Sequence, residues 1–183
     1  MIDRISPTIR PDARPVQFQK WNKLLFLHWQ VPLEQLRKLV PTELSIDLFD
    51  GAAYVGIVPF VMNDVRPRWW PKALAFNFLE TNVRTYVHFE GRPGVFFLSL
   101  DASSRLAVWA ARNIWHLPYH FADMSFQQHD LEINYQSKRR AKKTPRLQTR
   151  YRIGEQLGAS PPDTLDFFLL ERYPMFLGQP SVL

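Results

Sequence analysis

The sequence predicts an α+β domain that is mainly antiparallel β, and three observations lead to that prediction. The chain has 183 residues, which is the length of a single domain, and 46% of them are hydrophobic, which is enough to bury a core. Fifteen prolines against seven glycines favour many short elements with abrupt ends. About seven or eight strand-like segments follow one another with about three short helices among them, and this order favours antiparallel pairing or a barrel over βαβ units. We expect one domain over 21–183 after a proline-rich N-terminal arm over 1–20.

The first third of the domain predicts a strand, a helix and a hairpin. The apolar run 24–27 predicts a short buried strand. Apolar residues at helical spacing over 33–40, followed by a proline, predict a two-turn helix. The dipeptide Asp50-Gly51 after 46–49 predicts a hairpin turn, with 53–62 as the returning strand.

Residues 76–89 form the most informative strand pattern. The odd positions from 79 onward are β-branched or apolar, whereas the even positions are polar or aromatic. Because side chains alternate between the two faces of a strand, one face of the sheet is predicted to carry Glu80, Asn82, Arg84, Tyr86 and His88. After a turn at 90–94, the segment 95–100 is apolar on both faces, which is typical of a central strand.

The second half of the chain predicts two more helices. A serine at 103 or 104 caps a helix over 105–115, whose apolar residues, including Leu106 and Trp109, fall on one stripe. A second capped helix is predicted over 165–173. The strands predicted between these helices are 121–126, 131–136 and 147–153.

The net charge of +6 comes from one segment of the chain. Eight basic residues and no acidic residue lie from Lys138 to Arg152, so the remainder has 15 basic against 17 acidic residues. A nucleic-acid-binding protein typically spreads such charge over a face or along a helix. Here the pattern predicts a solvated hairpin tip with its flank, and no nucleic-acid-binding motif accompanies it. Nucleic acid is therefore not the expected partner.

The polar row on the strand 76–89 is the strongest candidate for chemistry. If the row lines a lumen, Arg84 offers a planar donor fork to a carboxylate, and burial raises the pKa of Glu80 toward the range of a general acid or base. The alternative is a solvated outer face, on which a Glu–Arg pair contributes about 0–1 kcal/mol. The sequence leaves these two interpretations nearly even.

No metal, cofactor or membrane segment is indicated. The chain has no cysteine, which excludes disulfides, zinc thiolates and a cysteine nucleophile. His116 and His120 have the spacing of helical metal ligands, but Pro118 between them breaks a helix. No apolar run in the first third approaches the ~18–20 residues that span a bilayer, and the N-terminus has no signal core. We expect a cytoplasmic protein without a metal or cofactor.

Six short motifs lie between residues 21 and 173. They are LVP at 39–41, DGAAYVG at 50–56, ETNVRTYV at 80–87, GVFFLSLDA at 94–102, LPY at 117–119 and ERY at 171–173. Together these motifs resemble the YqjF-like family, a domain of unknown function numbered 2071.

That family is similar to acetoacetate decarboxylase, whose β-rich fold is a cone-shaped barrel and whose relatives act on small keto acids through a lysine Schiff base. The resemblance implies the same barrel here and places Glu80 near the decarboxylase's active-site glutamate. The stretch 111–123, which contains Arg112, resembles the decarboxylase's active-site stretch. The enzyme's pair of adjacent lysines falls on Tyr119 and His120.

Two departures from the pattern change the expectation. A Schiff base needs a neutral amine, which neither Tyr119 nor His120 supplies, so we predict that lysine Schiff-base decarboxylation is absent. The family pattern usually continues well past 171–173, whereas this chain stops at Leu183. Either the closing strands are missing or the sequence is a fragment, and we expect incomplete closure to leave a sheet edge unpaired, which favours a homo-oligomer or aggregation.

Two functional hypotheses follow. In the first, a barrel pocket binds a small anionic or carbonyl molecule, with or without acid–base chemistry on a small keto or carboxylic acid. Glu80 is the candidate catalytic residue, and the candidate binding residues are Asn82, Arg84, Tyr86, Arg112, Tyr119 and His120. In the second, a noncatalytic protein uses the basic loop 138–152 to bind an acidic partner or nucleic acid.

Overall fold

The computed structural model describes residues 2–9, 12–140 and 144–176, and these residues form ten strands and three α-helices. The helices are α1 (Leu33–Arg37), α2 (Arg105–Ile114) and α3 (Leu165–Leu170). The strands are β1 (Gln17–Asn22), β2 (Leu27–Val31), β3 (Ser45–Ile46), β4 (Ala53–Pro67), β5 (Phe76–Phe89), β6 (Arg92–Ala102), β7 (Tyr119–His129), β8 (Glu132–Arg139), β9 (Arg146–Arg152) and β10 (Met175–Phe176).

The strands form one sheet in the order β1-β4-β5-β6-β7-β8-β9, with β2 beside β4, β3 beside β5 and β10 beside β6. Most neighbours are antiparallel, and only β7 and β10 pair with β6 in parallel among the strands described. Parallel strands need a crossover, and α2 supplies it between β6 and β7. The predicted fold class, α+β and mainly antiparallel β with three short helices, is confirmed.

The sheet curls without closing. The strand order ends at β1 on one side and at β9 on the other, and no ladder joins these two strands over the described ranges. The two ends approach each other where the Tyr151 hydroxyl on β9 donates a hydrogen bond to the Lys23 carbonyl just after β1, at 3.1 Å. The predicted cone-shaped barrel is therefore an open, curled sheet in this chain.

Strand β5 lies between two hydrophobic clusters. The cluster on one face includes Val87 and residues that follow α1, such as Leu44. The cluster on the other face includes Tyr86 together with Phe168 and Leu169 of α3. Both faces of β5 are buried along most of its length, which makes it the strand best placed to hold side chains away from solvent.

Two predictions for the N-terminal third are wrong, and a third is right in its turn but not in its strand pairing. The strand predicted at 24–27 begins only at Leu27. Residues 17–20, predicted as part of an irregular arm, begin β1, because Trp21 packs 4.8 Å from the Phe60 ring and draws this segment onto β4. The predicted turn at Asp50-Gly51 is confirmed, because Phe49 and Ala52 exchange both backbone hydrogen bonds across it and β4 begins at Ala53; the segment before the turn, however, pairs with β5 through β3 and not with β4.

Helix α2 turns much of its apolar stripe outward. Ser104 caps it as predicted, accepting a hydrogen bond from the Ala107 backbone N–H at 3.2 Å. The helix buries only Val108 and Ala111, whereas Leu106 and Trp109 are 53% and 60% exposed. None of the helices in the described part is long and apolar enough to cross a membrane.

Candidate functional site

The polar row of β5 faces the interior of the curled sheet. Its four central side chains are at most 3% exposed, and they are Glu80, Asn82, Arg84 and Tyr86. His88, the fifth position, is only partly buried. The ambiguity in the sequence is thereby resolved, because the row is enclosed and is not a solvated outer face.

Asn82 occupies an apolar position in the middle of this row. Its cross-strand partners are Val58 on β4 and Leu100 on β6, which are themselves buried. Neither neighbour can form a hydrogen bond with the side-chain amide. Both the nitrogen and the oxygen of that amide are buried without a hydrogen-bond partner among the described residues.

Arg84 is a buried cation without a carboxylate. Its Nη2 donates to the Leu169 carbonyl at 2.9 Å and to the Tyr86 hydroxyl at 3.4 Å, whereas Nε has no partner in the described structure. None of the ion pairs found between described residues includes it. The rings of Phe26 and Tyr86 lie 5.2 and 5.6 Å from the guanidinium carbon and offset part of the cost of burial.

Glu80 and Tyr119 form a buried acid pair. The Tyr119 hydroxyl donates a hydrogen bond to Glu80 Oε2 at 2.7 Å. Burial raises the pKa of Glu80 to about 7. Burial and the neighbouring carboxyl raise the pKa of Tyr119 well above its ordinary value, so the phenol keeps its proton. Near neutral pH, Glu80 can therefore either give or take a proton.

His28 on β2 is a site residue that the sequence did not reveal. Its Nε2 lies 2.7 Å from the Tyr86 hydroxyl, which donates to the Leu169 carbonyl at 2.8 Å. Burial, with the Arg84 charge second, lowers the pKa of His28 to about 4, so the ring is neutral at physiological pH. The Tyr86 hydroxyl has a single proton, which it donates to the Leu169 carbonyl. In the hydrogen bond between His28 and Tyr86, the donor is therefore Nε2 of His28.

Gly56 makes room for this histidine. It pairs with His28 on one side and with Arg84 on the other, and a Cβ at position 56 would lie 3.0 Å from the His28 ring. We expect Gly56→Ala to lower the free energy of unfolding by about 1–3 kcal/mol, because the ring must shift and loosen its contact with Tyr86. Denaturant titration measures the loss. Gly154→Ala is the matched control, since its Cβ would meet open space, and equal stability of the two variants would contradict this account.

Arg112 and His120 lie outside the buried row. Consecutive strand residues point to opposite faces, so Tyr119 reaches Glu80 while His120 points the other way. Arg112 Nε donates to the Tyr119 carbonyl at 2.5 Å, and its Nη2 lies 3.3 Å from His120 Nδ1. Burial, together with the positive charges of Arg139 and Arg112, lowers the pKa of His120.

A second buried cluster closes the Tyr86 end of the row. Asp47, which is 1% exposed, accepts a hydrogen bond from Arg172 Nη2 at 2.9 Å and another from Arg4 of the N-terminal arm. The Phe168 ring lies 5.1 Å from the Tyr86 ring and 4.5 Å from the Arg172 guanidinium carbon. The arm and α3 together therefore cover this end.

An open cleft of about 600 Å³ lies on the outer side of Phe168, between the N-terminal arm and the segment that leads into α3. A smaller groove of about 320 Å³ runs along β7, β8 and β9. The residues that line these two clefts do not include Glu80, Asn82 or Arg84. The row does not line either of these two clefts, and Phe168, which lines the larger one, packs against Tyr86 of the row.

The other sequence candidates have ordinary surroundings. No group of three His, Asp or Glu side chains that could hold a metal occurs within 2–9, 12–140 and 144–176. Each lysine in those ranges is exposed; these are Lys20, Lys23, Lys38, Lys72 and Lys138. The basic residues predicted as a solvated tip are partly neutralised by ion pairs to acids on β6, β7 and β8, namely Arg139–Asp101, Arg140–Asp123 and Arg150–Glu132. Lys142 and Lys143 lie outside the described residues.

Similar solved structures show which fold this is. The chain is similar to the enduracididine biosynthesis enzyme MppR, in a structure complexed with the condensation product of pyruvate and imidazole 4-carboxaldehyde. The TM-score is 0.63 and the identity is 12%, and the match covers 89% of this chain and 63% of that one. It is also similar to an acetoacetate decarboxylase, with a TM-score of 0.52 and 18% identity over 72% of this chain and 49% of that one. The chain thus has an acetoacetate decarboxylase-like fold and spans less than two thirds of either structure.

Sequence comparison identifies the family. The chain is 41% identical to the uncharacterized protein YqjF of Bacillus subtilis (strain 168) over 167 residues, which cover 91% of this chain and 69% of that protein. The family model of an uncharacterized conserved protein, DUF2071, matches residues 18–182, which include the whole buried row. Because the match extends over most of the chain, the protein belongs to the DUF2071 family.

Proposed function

We propose that the buried row of β5 binds a small carboxylate or carbonyl molecule. The observation that carries this proposal is Arg84, a guanidinium that is 3% exposed and has no carboxylate partner in the described structure. A buried, uncompensated charge is costly, and an anionic or strongly polarised ligand offsets that cost. The MppR enzyme of the same fold carries a ligand derived from pyruvate, which is a small keto acid.

Each side chain of the row has a distinct role in this proposal. Arg84 Nε donates to the ligand oxygen, since Nη2 of the same group is already bound to Leu169. Asn82 orients the ligand through its unpartnered amide, and Tyr86 fixes the guanidinium. Glu80, held by Tyr119, exchanges a proton with the bound molecule if a reaction follows. Arg112 and His120 serve this site indirectly, by holding the backbone at Tyr119.

We place the entry to the row at the cleft beside Phe168. The ring of this residue lines the cleft on one side and packs on Tyr86 on the other. A movement of α3 would connect the cleft to the row; it would break the hydrogen bonds that the Leu169 carbonyl accepts, but not the ladders that hold β5. The N-terminal arm, tied to Asp47 through Arg4, forms the opposite wall of this entrance.

A thermal stability screen tests the proposal. Acetate, pyruvate, acetoacetate and lactate are compared with acetone and with chloride at the same ionic strength. A bound ligand at ~100 times its Kd adds about 2.7 kcal/mol to the free energy of unfolding. We expect stabilisation by at least one carboxylate or carbonyl compound beyond the chloride control. The proposal fails if every compound leaves the unfolding transition where chloride leaves it.

The site is not expected to form a lysine Schiff base. The described lysines are exposed, so none of them lies in the desolvated apolar pocket that activates a Schiff-base lysine. Treatment with borohydride in the presence of acetoacetate is expected to add no mass to the protein. A reduced adduct that peptide mapping locates on a lysine would contradict this prediction.

The basic segment 138–152 supports a second candidate function, which is binding to an acidic partner or nucleic acid. Arg146 and Arg152 are exposed on the edge strand β9, as a phosphate-binding strand would require. The ion pairs that three arginines of the segment form with acids elsewhere in the sheet reduce the charge available to a partner. This function is established if the protein binds DNA, if that binding falls steeply with salt, and if it disappears in a Lys138→Ala, Arg146→Ala double variant. It is excluded if the protein binds no DNA at a low salt concentration of roughly 20–50 mM.

Self-association and a cytoplasmic location remain predictions. The exposed Leu106 and Trp109 of α2 and the edge strands β1 and β9 are surfaces that self-association would cover. Sedimentation velocity measures the oligomeric state directly. We expect a species larger than the 21.6 kDa monomer, and a monomer at all concentrations would contradict that expectation.

A further inference from the structure

We infer that the molecule bound by this row carries a hydroxyl or N–H donor beside its carboxylate or carbonyl group, so that hydroxy acids and small amides are its ligand class and simple keto acids are not. The inference rests on the proposed function and names the ligand class of the same site. It comes from Asn82, whose side chain is fully buried and whose two polar atoms are both without a hydrogen-bond partner in the described structure.

The side-chain amide of Asn82 presents one donor group and one acceptor group to the interior. Exchanging its nitrogen and oxygen, which is the usual ambiguity of an asparagine side chain, leaves the same pair of unmet groups. The conclusion therefore does not depend on how the amide is oriented. A ligand that satisfies Asn82 must bring an acceptor for the NH₂ group and a donor for the carbonyl oxygen.

Apart from Arg84 Nε, which the proposed function assigns to the oxyanion of the ligand, the hydroxyl donors of the row are already engaged. The Tyr119 hydroxyl is committed to Glu80, and the Tyr86 hydroxyl is committed to Leu169. The cross-strand neighbours Val58 and Leu100 are apolar. A carboxylate or ketone offers acceptors only, so it cannot satisfy the Asn82 oxygen.

The spacing of the row fits a compact bifunctional molecule. Arg84 and Asn82 are two positions apart on one strand face, which separates their Cα atoms by roughly 7 Å. An oxyanion at Arg84 Nε and a hydroxyl one or two carbons away at Asn82 can span that distance once both hydrogen bonds are included. Sites whose buried polar groups are matched by a substrate hydroxyl discriminate strongly against analogues that lack it.

Calorimetric titration of matched pairs tests the inference. Lactate is compared with pyruvate, and 3-hydroxybutyrate with acetoacetate, in the native protein and in Asn82→Leu. We expect the native protein to bind the hydroxy acid roughly tenfold to a hundredfold more tightly than the keto acid. Asn82→Leu removes an unsatisfied buried amide from an apolar position, so it is expected to fold. In that variant both members of a pair bind equally and weakly through Arg84.

The control variant is Asn113→Leu, which changes an exposed asparagine on α2 and is expected to keep the full preference. Equal affinity for the two members of each pair in the native protein overturns the inference and leaves the proposed function standing. A preference that survives in Asn82→Leu also overturns it, because another group would then make the distinction. If no member of either pair binds the native protein, the proposed function fails and the inference fails with it.

Discussion

Replacing Arg84 by methionine is expected to weaken the binding of small carboxylates strongly while leaving the protein at least as stable as before. Charge-assisted hydrogen bonds contribute about 1.5–3 kcal/mol, so the affinity is expected to fall roughly tenfold to 150-fold. Methionine keeps the volume against Phe26 and removes a buried charge that has no carboxylate partner. The Leu169 carbonyl retains the Tyr86 hydroxyl as its donor. Replacement of unfavourable buried charges by apolar residues is often neutral or stabilising by about 1–4 kcal/mol.

Denaturant titration and calorimetry on the same samples measure the two effects together. The control is Arg66→Met, which removes a guanidinium that is paired with Asp64 at 2.9 Å and lies far along β4 from the row. It is expected to lose some stability and to keep the binding affinity of the native protein. A large loss of stability in Arg84→Met with no loss of binding would mean that Arg84 is a structural residue.

The second large effect is a pH dependence of stability that comes from Glu80. Burial raises the pKa of this carboxyl from 4.5 in the unfolded chain to about 7 in the folded protein. Between these two values the folded state holds a proton that the unfolded state has released. The contribution of Glu80 to the free energy of unfolding is therefore greatest below pH 4.5. It falls by about 3 kcal/mol in total as the pH rises to about 7.

His28 acts in the opposite direction over part of this range. Its pKa falls from 6.5 to about 4 on folding, so the unfolded state binds the extra proton and stability rises with pH between these values. The two effects partly cancel in the native protein. The Glu80 effect is therefore measured as the difference between the native protein and Glu80→Gln, in which the His28 contribution is common to both.

Glu80→Gln is expected to gain stability relative to the native protein as the pH rises from 4.5 to about 7, and to keep that gain at pH 8. Glutamine stays neutral and can still accept the hydrogen bond from Tyr119. Urea unfolding at intervals of half a pH unit records the difference. Glu43→Gln, at an exposed position, should show no such trend. A constant difference between native protein and Glu80→Gln would contradict a raised pKa.

Much of the sheet follows from local sequence, but the direction in which its polar row faces does not. The alternation over 76–89 predicts the bounds of β5 and the side chains that share a face. Whether that face is enclosed depends on α3, whose Leu169 contacts Arg84 from 85 positions away in the chain. No local pattern contains that information.

The residues that the sequence missed are those positioned by long-range register. His28 reaches Tyr86 only because β2 pairs with β4 opposite Gly56, and Asp47 meets Arg172 across 125 positions. Helix α2 shows the opposite failure. The apolar spacing predicts the helix correctly, but two residues of the apolar stripe, Leu106 and Trp109, are exposed and not packed in the core. Periodicity identifies a helix face, and only the packing of distant segments determines which face is covered.

The most direct measurement of the central claim is the NMR signal of the Arg84 Nε–H group during titration with lactate. The signal is assigned by its disappearance in Arg84→Met. We predict a shift of this resonance that saturates with the affinity found by calorimetry, because Nε is the unpartnered donor that receives the ligand oxygen. An Arg84 Nε–H resonance that stays unchanged at saturating ligand would contradict the claim that this buried guanidinium is the binding group.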